Sequence, residues 1–265
     1  MSFRYVAGYG LVLLSRVLKA ALVKAIDLAS LPENFTAIVW TPRDIDRYAK
    51  GDWDHPSSVQ TYSQQDGWLG EKEKSLVEKY FSKRAELLNV ACGAGREALL
   101  LARHGTKVTA SDWSPRMVAA AQRRAQEATL AIRFVVADLY DLPYREEAFD
   151  YLLLTNIAYS YIFPRRRRIR FLRQAHSVLK SGGIFIISFF SERGGSKTRP
   201  GLLESLFMKL RLWSPFNREY EPGDQFSGSF THVFHAEDLA QEFQEVQFLI
   251  KEWLLERGYA VLVKL

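Results

Sequence analysis

One stretch of the chain, residues 86–112, constrains the fold more than any other. Leu87 to Ala91 is a short apolar run of the kind that forms a buried parallel strand. Gly93 and Gly95 then allow a sharp turn and leave the backbone open to a ligand, because glycine has no side chain. Residues 96–104 carry an apolar stripe at helical spacing, and a second strand follows them. This order of strand, glycine turn, helix and strand predicts a unit of a parallel α/β sheet.

The residue that closes this stretch, Asp112, stands at the carboxyl end of the second predicted strand. A carboxylate in that place can accept hydrogen bonds from ribose hydroxyls while the glycine turn meets the other half of the ligand. The stretch therefore predicts a nucleotide-like ligand. Gly93 and Gly95 followed by Ala98 also satisfy a loose dinucleotide fingerprint, so a nicotinamide enzyme stays open at this point. A phosphate-binding P-loop is excluded, because no Gly-Lys-Ser/Thr follows the turn.

Helices and strands alternate through the rest of the middle of the chain. The predicted helices are 71–81, 115–128, 164–179 and 236–243, and the predicted strands are 132–136, 148–154, 184–190, 246–253 and 259–263. Ser114 is the predicted N-cap of its helix, with Pro115 at the first position. Only five residues join the last two strands, so that pair must be antiparallel. Alternation of this kind predicts a parallel sheet with helices on both faces.

Three segments stand outside this alternation. Residues 3–31 predict an apolar helix that packs on the rest of the protein or on a twin subunit, with a membrane-surface helix as the alternative. Residues 32–70 read as irregular and rich in aromatics, which either fill gaps against the core or line a substrate pocket. Residues 191–230 read as an insertion, and its part over 193–218 carries six cations against Glu204.

Composition narrows the class of protein. A length of 265 residues suits one α/β domain with an added segment, or two small domains. The single cysteine, Cys92, excludes a disulfide framework and fits a reducing compartment. Arg16, Lys19 and Lys24 interrupt every candidate membrane span, and no cleavable signal pattern is present, so the expected location is cytoplasmic. The net charge of +6 permits acidic partners without requiring them.

Five motifs follow one another in order over residues 87–188. They are Leu-Leu-Asn-Val-Ala-Cys-Gly-Ala-Gly, Val-Thr-Ala-Ser-Asp-Trp-Ser-Pro-Arg-Met, Val-Val-Ala-Asp-Leu-Tyr-Asp-Leu-Pro-Tyr, Ala-Phe-Asp-Tyr-Leu-Leu-Leu-Thr-Asn and Val-Leu-Lys-Ser-Gly-Gly-Ile-Phe-Ile-Ile-Ser. In this order and spacing the chain resembles the class I S-adenosylmethionine-dependent methyltransferases, in particular those acting on small molecules. The resemblance covers about residues 80–192 strongly and 231–265 moderately.

The resemblance implies a Rossmann-like α/β fold. Its seven-stranded sheet would be mostly parallel with an antiparallel C-terminal strand pair, helices on both faces and an N-terminal helical cap. Residues 1–80 would form the cap and residues 81–265 the methyltransferase domain, with the insertion at 191–230. The implied reaction is in-line transfer of a methyl group from S-adenosylmethionine to an oxygen, nitrogen or carbon atom of a small-molecule acceptor. A motif around Asp138, a later glycine pair and the antiparallel tail favour this function over a nicotinamide enzyme.

The resemblance also implies a role for each motif residue. The backbone from Ala91 to Gly95, which includes Cys92, would cradle the methionine end of the cofactor, near the positive end of the following helix. Asp112 would hold the ribose hydroxyls with Trp113 beside the adenine. The remaining adenine contacts would come from the Asp138 carboxylate, the Leu139 backbone N–H and the Met117 side chain.

Two positions depart from the family pattern. Asn89, which is also predicted to lie in the cofactor site, replaces the usual acidic residue, and this removes a charge that organises the loop and helps attract the amino group. Ala91 replaces a glycine where the cofactor passes. The departures at Asn89 and Ala91 keep a second functional class open, a non-catalytic partner subunit that binds the cofactor.

Asn156 is the last of the motif residues, and the resemblance implies that it contacts the methionine amino group and the acceptor.

No general base follows from the motifs, and a base is optional when the acceptor is already nucleophilic. Tyr159, Tyr161 and His232 are candidates by position. The basic excess in 193–218 motivates the hypothesis of an anionic acceptor.

An arginine-rich helix, with residues 165–168, 170 and 173, resembles a nucleic-acid patch and keeps RNA methylation as a third alternative. Its apolar spacing favours a solvated arginine face instead, which disfavours a nucleic-acid partner. The five histidines show no ligand spacing with cysteines or carboxylates, so no metal is expected.

Overall fold

The computed structural model describes residues 38–67, 70–193, 206, 209, 210, 212–227 and 229–265. The helix predicted over 3–31 lies outside these residues, as does the homodimer hypothesis that depends on it. Lys197 and Arg199 of the basic insertion also lie outside them. In the part of the chain that is described, no helix is long and apolar enough to cross a membrane.

Ten strands and seven helices make up the described residues. The strands are β1 Glu86–Val90, β2 Lys107–Asp112, β3 Arg133–Val136, β4 Phe149–Leu154, β5 Leu179–Ser188, β6 Phe190–Ser191, β7 Asp224–Ser227, β8 Ser229–Phe234, β9 Phe248–Leu254 and β10 Tyr259–Lys264. The helices are α1 Pro42–Trp53, α2 Pro56–Ser63, α3 Glu71–Tyr80, α4 Arg96–Arg103, α5 Pro115–Glu127, α6 Arg165–Val178 and α7 Ala236–Glu245. Short 3₁₀ turns span Ala158–Tyr161 and Leu255–Arg257.

Seven strands form the main sheet in the order β3-β2-β1-β4-β5-β10-β9. The first five are mutually parallel, and β10 runs antiparallel to both β5 and β9. This confirms the predicted Rossmann-like α/β fold with its antiparallel C-terminal pair. A second, three-stranded sheet of order β6-β8-β7 arises from the insertion and the residues after it.

The sheet is buried on both faces, which explains why its strands are continuous apolar runs. Leu87 and Leu153 point toward the core shared with α3 and α4, whereas Leu88 and Leu152 point toward the core shared with α6 and α7. Successive side chains of a strand alternate between faces, so each strand supplies both cores. The carboxyl ends of the parallel strands are therefore held at one edge, where the connecting loops meet.

The region predicted as irregular, residues 32–70, contains α1 and α2, so that prediction is wrong. Thr41 caps α1 through a reciprocal capping box with Asp44, and Pro42 occupies the first turn. His55 caps α2 by accepting the Ser57 N–H, again before a proline.

The prediction that the arginines of α6 face solvent is wrong for Arg168, which is only 1% exposed. Its guanidinium bonds to Glu242 of α7 at 2.9 Å and to Glu221 of the insertion at 2.5 Å. The hydroxyl of Tyr159, itself fully buried, donates to the same Glu242. This buried polar cluster of Arg168, Glu242 and Tyr159 joins α6, α7 and the turn after β4.

Most of the other arginines of α6 are matched by acidic side chains. The ion pairs are Arg165 with Glu245, Arg166 with Glu219, Arg167 with Asp46 and Arg173 with Glu245. An arginine that is already paired releases less free energy on meeting a phosphate, because its existing partner must be displaced. The arginine cluster is therefore a poor candidate for nucleic-acid binding.

Candidate functional site

A pocket opens at the carboxyl ends of β1, β2 and β4 and is covered by α1 and α2. The residues that line it are Asp46, Ala49, Lys50, Trp53, Tyr62, Gln65, Ala91, Cys92, Gly93, Ala94, Arg96, Glu97, Asp112, Trp113, Met117, Asp138, Leu139, Tyr140, Thr155, Asn156, Ala158, Tyr161 and Ile162. Ligands of open α/β sheets bind at this edge, where the loops after neighbouring strands diverge. The pocket is therefore the candidate site.

The glycine turn after β1 forms the floor of the pocket. Ala91, Gly93 and Gly95 all have positive φ, at 48°, 51° and 84°. A Cβ on Gly95 would lie 2.9 Å from the Cβ of Ala121, so α4 can approach α5 this closely only with glycine there. A Cβ on Gly93 would meet nothing within 4 Å, so the backbone at that position borders open space that a ligand can enter. The residues present thus fit a ligand that presses on the main chain.

Asp112 ties the end of β2 to the glycine turn. Its Oδ2 accepts the Gly93 N–H at 2.9 Å, and its Oδ1 accepts the Ser114 N–H at 2.9 Å. Each carboxylate oxygen keeps a further lone pair, so two ligand hydroxyls can still be accepted. Burial raises the pKa of Asp112, and the bonds from Ser114 and Gly93 oppose that rise.

Asp138, after β3, shares its carboxylate with a cation that the sequence analysis missed. Lys50 of α1 lies 3.1 Å from Asp138 Oδ2 and 5.8 Å from the centre of the Trp113 ring. The other oxygen of Asp138 accepts the Tyr140 N–H at 3.1 Å. Lys50 thus links the cap helix to two residues predicted to contact adenine. No motif marks it, because only folding brings α1 against β3.

A second charged group that the sequence analysis missed lies at the start of α4. Arg96 is hydrogen-bonded to Glu97, and the Thr155 hydroxyl donates to Glu97 Oε1 at 2.8 Å. All three side chains are at least nine-tenths buried. The sequence signal for this group was the pair of charged residues directly after the glycine turn. Charged side chains at a buried helix start are seldom found without an oppositely charged or hydrogen-bonding partner.

Aromatic side chains form the wall of the pocket beside Asn156. Trp53 of α1 contacts Tyr62 of α2 at 5.4 Å between ring centroids and Tyr161 at 5.5 Å. The Asn156 side chain lies beside the Tyr62 hydroxyl and opposes the rise in its pKa that burial causes. Of the two interpretations of the aromatics in residues 32–70, pocket lining therefore holds for Trp53 and Tyr62, whereas Trp40 packs on the small core around Ile45 and Phe163.

Two of the three candidate catalytic residues lie away from the pocket. Tyr159 belongs to the buried polar cluster and stacks on Phe234 at 5.2 Å, so its hydroxyl does not face a ligand. His232 is buried on β8 with its Nδ1 2.6 Å from Asp224 Oδ1. Neither residue lines the pocket, so the structure does not bring them to the site where a catalytic group was predicted. A residue next to a strand end points into the pocket or into the core according to its turn geometry, which position in sequence does not reveal. Tyr161 alone of the three lines the pocket.

Nine of the eleven residues predicted to bind a cofactor line the pocket; Asn89 and Gly95 do not. The Asn89 side chain is buried within β1 and donates to the Leu153 carbonyl at 3.3 Å. Arg193, one of the residues behind the anionic-acceptor hypothesis, lies at a separate surface depression beside Glu71 and Arg257. Among the residues described here, no group of three His, Cys, Asp or Glu side chains is arranged to hold a metal ion.

Cys92 gives a test of the pocket floor because it is the only cysteine in the chain. The side chain is 4% exposed, and burial, with the charges of Asp112 and Glu97, raises the pKa of its thiol well above the usual value. We expect a disulfide thiol reagent at pH 7.5 to label the native chain about 100-fold more slowly than the chain unfolded in guanidinium. Labelling rates within a few-fold of each other would contradict this burial.

Comparison with known proteins shows which proteins this chain is similar to. Residues 87–183 match a family described as "Methyltransferase domain". The chain is 32% identical to a demethylmenaquinone methyltransferase of Clavibacter sepedonicus over 46% of its own length and 47% of that protein. It is 30% identical to an 18S rRNA (guanine(1575)-N(7))-methyltransferase of Saccharomyces cerevisiae over 39% of its length and 40% of that protein. The chain thus spans less than half the length of either curated relative.

Solved structures agree in fold. A 1,6-didemethyltoxoflavin-N1-methyltransferase of Burkholderia thailandensis, with S-adenosylhomocysteine bound, has a TM-score of 0.60 and 18% identity. The match covers 85% of this chain and 91% of that one. A protein of Methanosarcina mazei described as a SAM-dependent methyltransferase has a TM-score of 0.56 over 76% of this chain and 99% of that one, at 19% identity. At these identities the likeness establishes the fold.

Proposed function

We propose that this chain, which belongs to the class I S-adenosylmethionine-dependent methyltransferases, transfers a methyl group from S-adenosylmethionine to a small-molecule acceptor. The observation that carries the proposal is the bond between the Asp112 carboxylate and the Gly93 N–H. It joins the ends of β1 and β2 at the pocket, so that one loop carries a ligand-facing backbone and its neighbour a carboxylate with free lone pairs. This pairing suits a ligand with a ribose beside a charged chain.

The residues that would hold the cofactor follow the order of the strands. Asp112 would accept the ribose hydroxyls, and Ala91 to Gly95 would lie along the methionine part. Asp138 and Leu139 would meet the adenine edge, with Trp113 and Met117 on its ring. Asn156, after β4, would lie where the methionine part and the acceptor meet. Asn89 makes no direct contact with the cofactor in this proposal, and its side chain bonds instead to the Leu153 carbonyl of the neighbouring strand.

Bound S-adenosylmethionine supplies a methyl group that is already activated by its sulfonium, so that orientation of the acceptor can provide most of the rate enhancement. The protein's part is to exclude water and align the acceptor, and α1 and α2 cover the pocket for that purpose. Tyr161 does not suit the role of a base, because burial, and then the charge of Tyr62, raises the pKa of its hydroxyl. Its protonated hydroxyl can instead donate a hydrogen bond to the acceptor.

The two other functions receive less support. RNA methylation depended on the arginine helix, which is largely paired with acidic side chains. A non-catalytic partner subunit depended on Asn89 and Ala91. Asn89 does not line the pocket. Ala91 adopts the left-handed backbone conformation that glycine adopts freely, and for alanine this conformation costs about 1–2 kcal/mol. Neither departure blocks the pocket.

Calorimetric titration with S-adenosylmethionine and S-adenosylhomocysteine tests the proposal. We expect both to bind, and we expect S-adenosylhomocysteine to accumulate from S-adenosylmethionine only when an acceptor is present. Absence of binding at millimolar cofactor would overturn the proposal. Binding without turnover across a wide panel of acceptors would instead support the partner-subunit function.

Cofactor affinity should depend on pH through Asp112. Its pKa is raised by burial, so the carboxyl group begins to take up a proton at a higher pH than an ordinary aspartate does. Protonation removes acceptor strength toward ligand hydroxyls, so the affinity for S-adenosylhomocysteine should fall as the pH falls. We expect Asp112→Asn to abolish this dependence in titrations between pH 7 and pH 4.5. A variant that retains the wild-type pH profile would contradict the assignment to Asp112.

Three broader predictions complete the proposal. The division into a cap, residues 1–80, and a methyltransferase domain, residues 81–265, stays a prediction, supported by the way α1 and α2 cover the pocket. The insertion at 191–230 on the acceptor side also stays a prediction, and none of its described residues lines the pocket. A cytoplasmic location also stays a prediction.

A further inference from the structure

The three aromatic residues of the pocket wall form one continuous surface. We call Trp53, Tyr62 and Tyr161 the aromatic wall. They come from α1, α2 and the turn after β4, and adjacent ring centroids are 5.4 and 5.5 Å apart. The planes of adjacent rings are tilted by 50° and 73°, so the rings meet at an angle and form one contiguous, angled wall. A planar aromatic ligand can stack on one of these rings while its edge meets the next.

The position of the aromatic wall separates it from the cofactor residues. In the sheet, β2 and β3 lie on one side of β1 and β4 lies on the other. Asp112, Trp113 and Asp138 follow β2 and β3, whereas Asn156 and Tyr161 follow β4. Tyr62 lies beside the Asn156 side chain, and both residues line the pocket. The space above β4 is therefore available to the acceptor when the side above β2 and β3 holds the adenosine.

Each charged side chain that lines the pocket is paired with another group of the protein. Lys50 is paired with Asp138 and Asp46, and Arg96 with Glu97. Asp46 also pairs with Arg167, and Asp112 accepts two backbone N–H groups. Every charged side chain among the described lining residues thus has a partner. A charged acceptor would lose its hydration without finding a free counter-charge there, which is costly.

The hydroxyls of the aromatic wall are uncharged as well. Burial raises the pKa of Tyr62 and that of Tyr161, so both phenols stay protonated near neutral pH. They offer neutral hydrogen-bonding groups beside an apolar surface, which suits the polar substituent of a ring.

We propose that the acceptor is an uncharged planar aromatic compound whose ring lies against the aromatic wall. This inference rests on the proposed function, because it assigns the other half of the pocket to the cofactor. It replaces the anionic acceptor suggested by the basic insertion, since Arg193 lies at a separate depression. A carboxylate or an ammonium on the ring, or a saturated ring of the same size, should each weaken binding.

Four matched probes test the inference by calorimetry in the presence of saturating S-adenosylhomocysteine. They are 2-naphthol, 2-naphthoate, 2-naphthyltrimethylammonium and the saturated alcohol 2-decalol. We expect 2-naphthol to bind about tenfold more tightly than each of the other three. Equal affinities, tighter binding of a charged or saturated probe, or no binding of 2-naphthol at its solubility limit would overturn the inference.

Variants connect the selectivity to the aromatic wall. Trp53→Leu should lower the affinity for 2-naphthol by about tenfold, whereas Trp53→Phe should keep most of it. The matched control is Trp213→Leu, since Trp213 is 86% exposed and lies outside the pocket. Retained binding of S-adenosylhomocysteine shows that each variant is folded. If S-adenosylhomocysteine binds and the probes show no selectivity, only the acceptor class is wrong; if it does not bind, the proposed function is wrong.

Discussion

Replacing Asp112 with alanine should lower the affinity for S-adenosylhomocysteine by about 100- to 1000-fold. The carboxylate is 7% exposed and supports the pocket in two ways. It would accept two ligand hydroxyls in charge-assisted hydrogen bonds, and it holds the Gly93 and Ser114 N–H groups at 2.9 Å each. Alanine removes all four interactions, so both the contacts and the preorganised turn are lost. Calorimetric titration measures the change directly.

Two further variants test whether the loss of affinity is specific to the Asp112 carboxylate. Asp112→Asn keeps one acceptor oxygen and should lose less affinity than Asp112→Ala. Asp141→Ala removes an exposed carboxylate near the same pocket and changes the net charge equally, so it should retain wild-type affinity. A thermal unfolding transition for each variant confirms that it is folded. An Asp112→Ala variant that binds within about threefold of wild type would show that the carboxylate does not contact the ligand.

Replacing Arg168 with methionine should lower the free energy of unfolding by about 3–5 kcal/mol. The guanidinium is almost fully buried between Glu242 and Glu221, and its loss leaves the Glu242 carboxylate in a protein interior. An unpaired buried charge costs far more than an ion pair contributes at the surface, because its hydration has been lost. Urea unfolding, monitored by circular dichroism, gives the free energy of unfolding of the variant and of the wild type from the midpoint and slope of each transition.

The neighbouring arginine supplies the matched control. Arg166 is on the same helix and also pairs with a glutamate, but its side chain is 63% exposed, so Arg166→Met should change the stability by less than about 1 kcal/mol. The double variant Arg168→Met, Glu242→Met should recover much of the loss, since the buried carboxylate is removed with its partner and the remaining Glu221 side chain is 30% exposed to solvent. Equal effects of Arg168→Met and Arg166→Met would show that burial of the pair does not determine its contribution.

The parallel half of the sheet and its ligand-facing loops could be predicted from sequence because their signals are local. The apolar run at Leu87, the glycines of the turn and Ser114 as N-cap each report the conformation of their own few residues. The observed boundaries agree within one or two residues for most strands, and the Ser114 hydroxyl accepts the Met117 N–H at 3.1 Å. Such signals need no knowledge of distant partners.

The cap is the part of the fold whose local signals were misread. The capping box of Thr41 and Asp44 is present in the sequence, but the segment after it reads as irregular because the helix that it starts is polar. Ser114 shows what only the fold adds: its hydroxyl also donates to Asp54 Oδ1 at 2.5 Å, which fixes the end of α1 beside the pocket. No local sequence pattern predicts a contact between residues that are 60 positions apart.

The sequence by itself determined the sheet, the glycine turn and the carboxylates after β2 and β3, because backbone conformation and strand burial are encoded over a few consecutive residues. Only the tertiary structure decided which side chains share the pocket. It placed Lys50 on Asp138, joined Trp53 to Tyr161, and turned Tyr159 and Arg168 into the core. These outcomes depend on the packing of elements far apart in the chain, where a rotation of one residue decides between the core and the ligand.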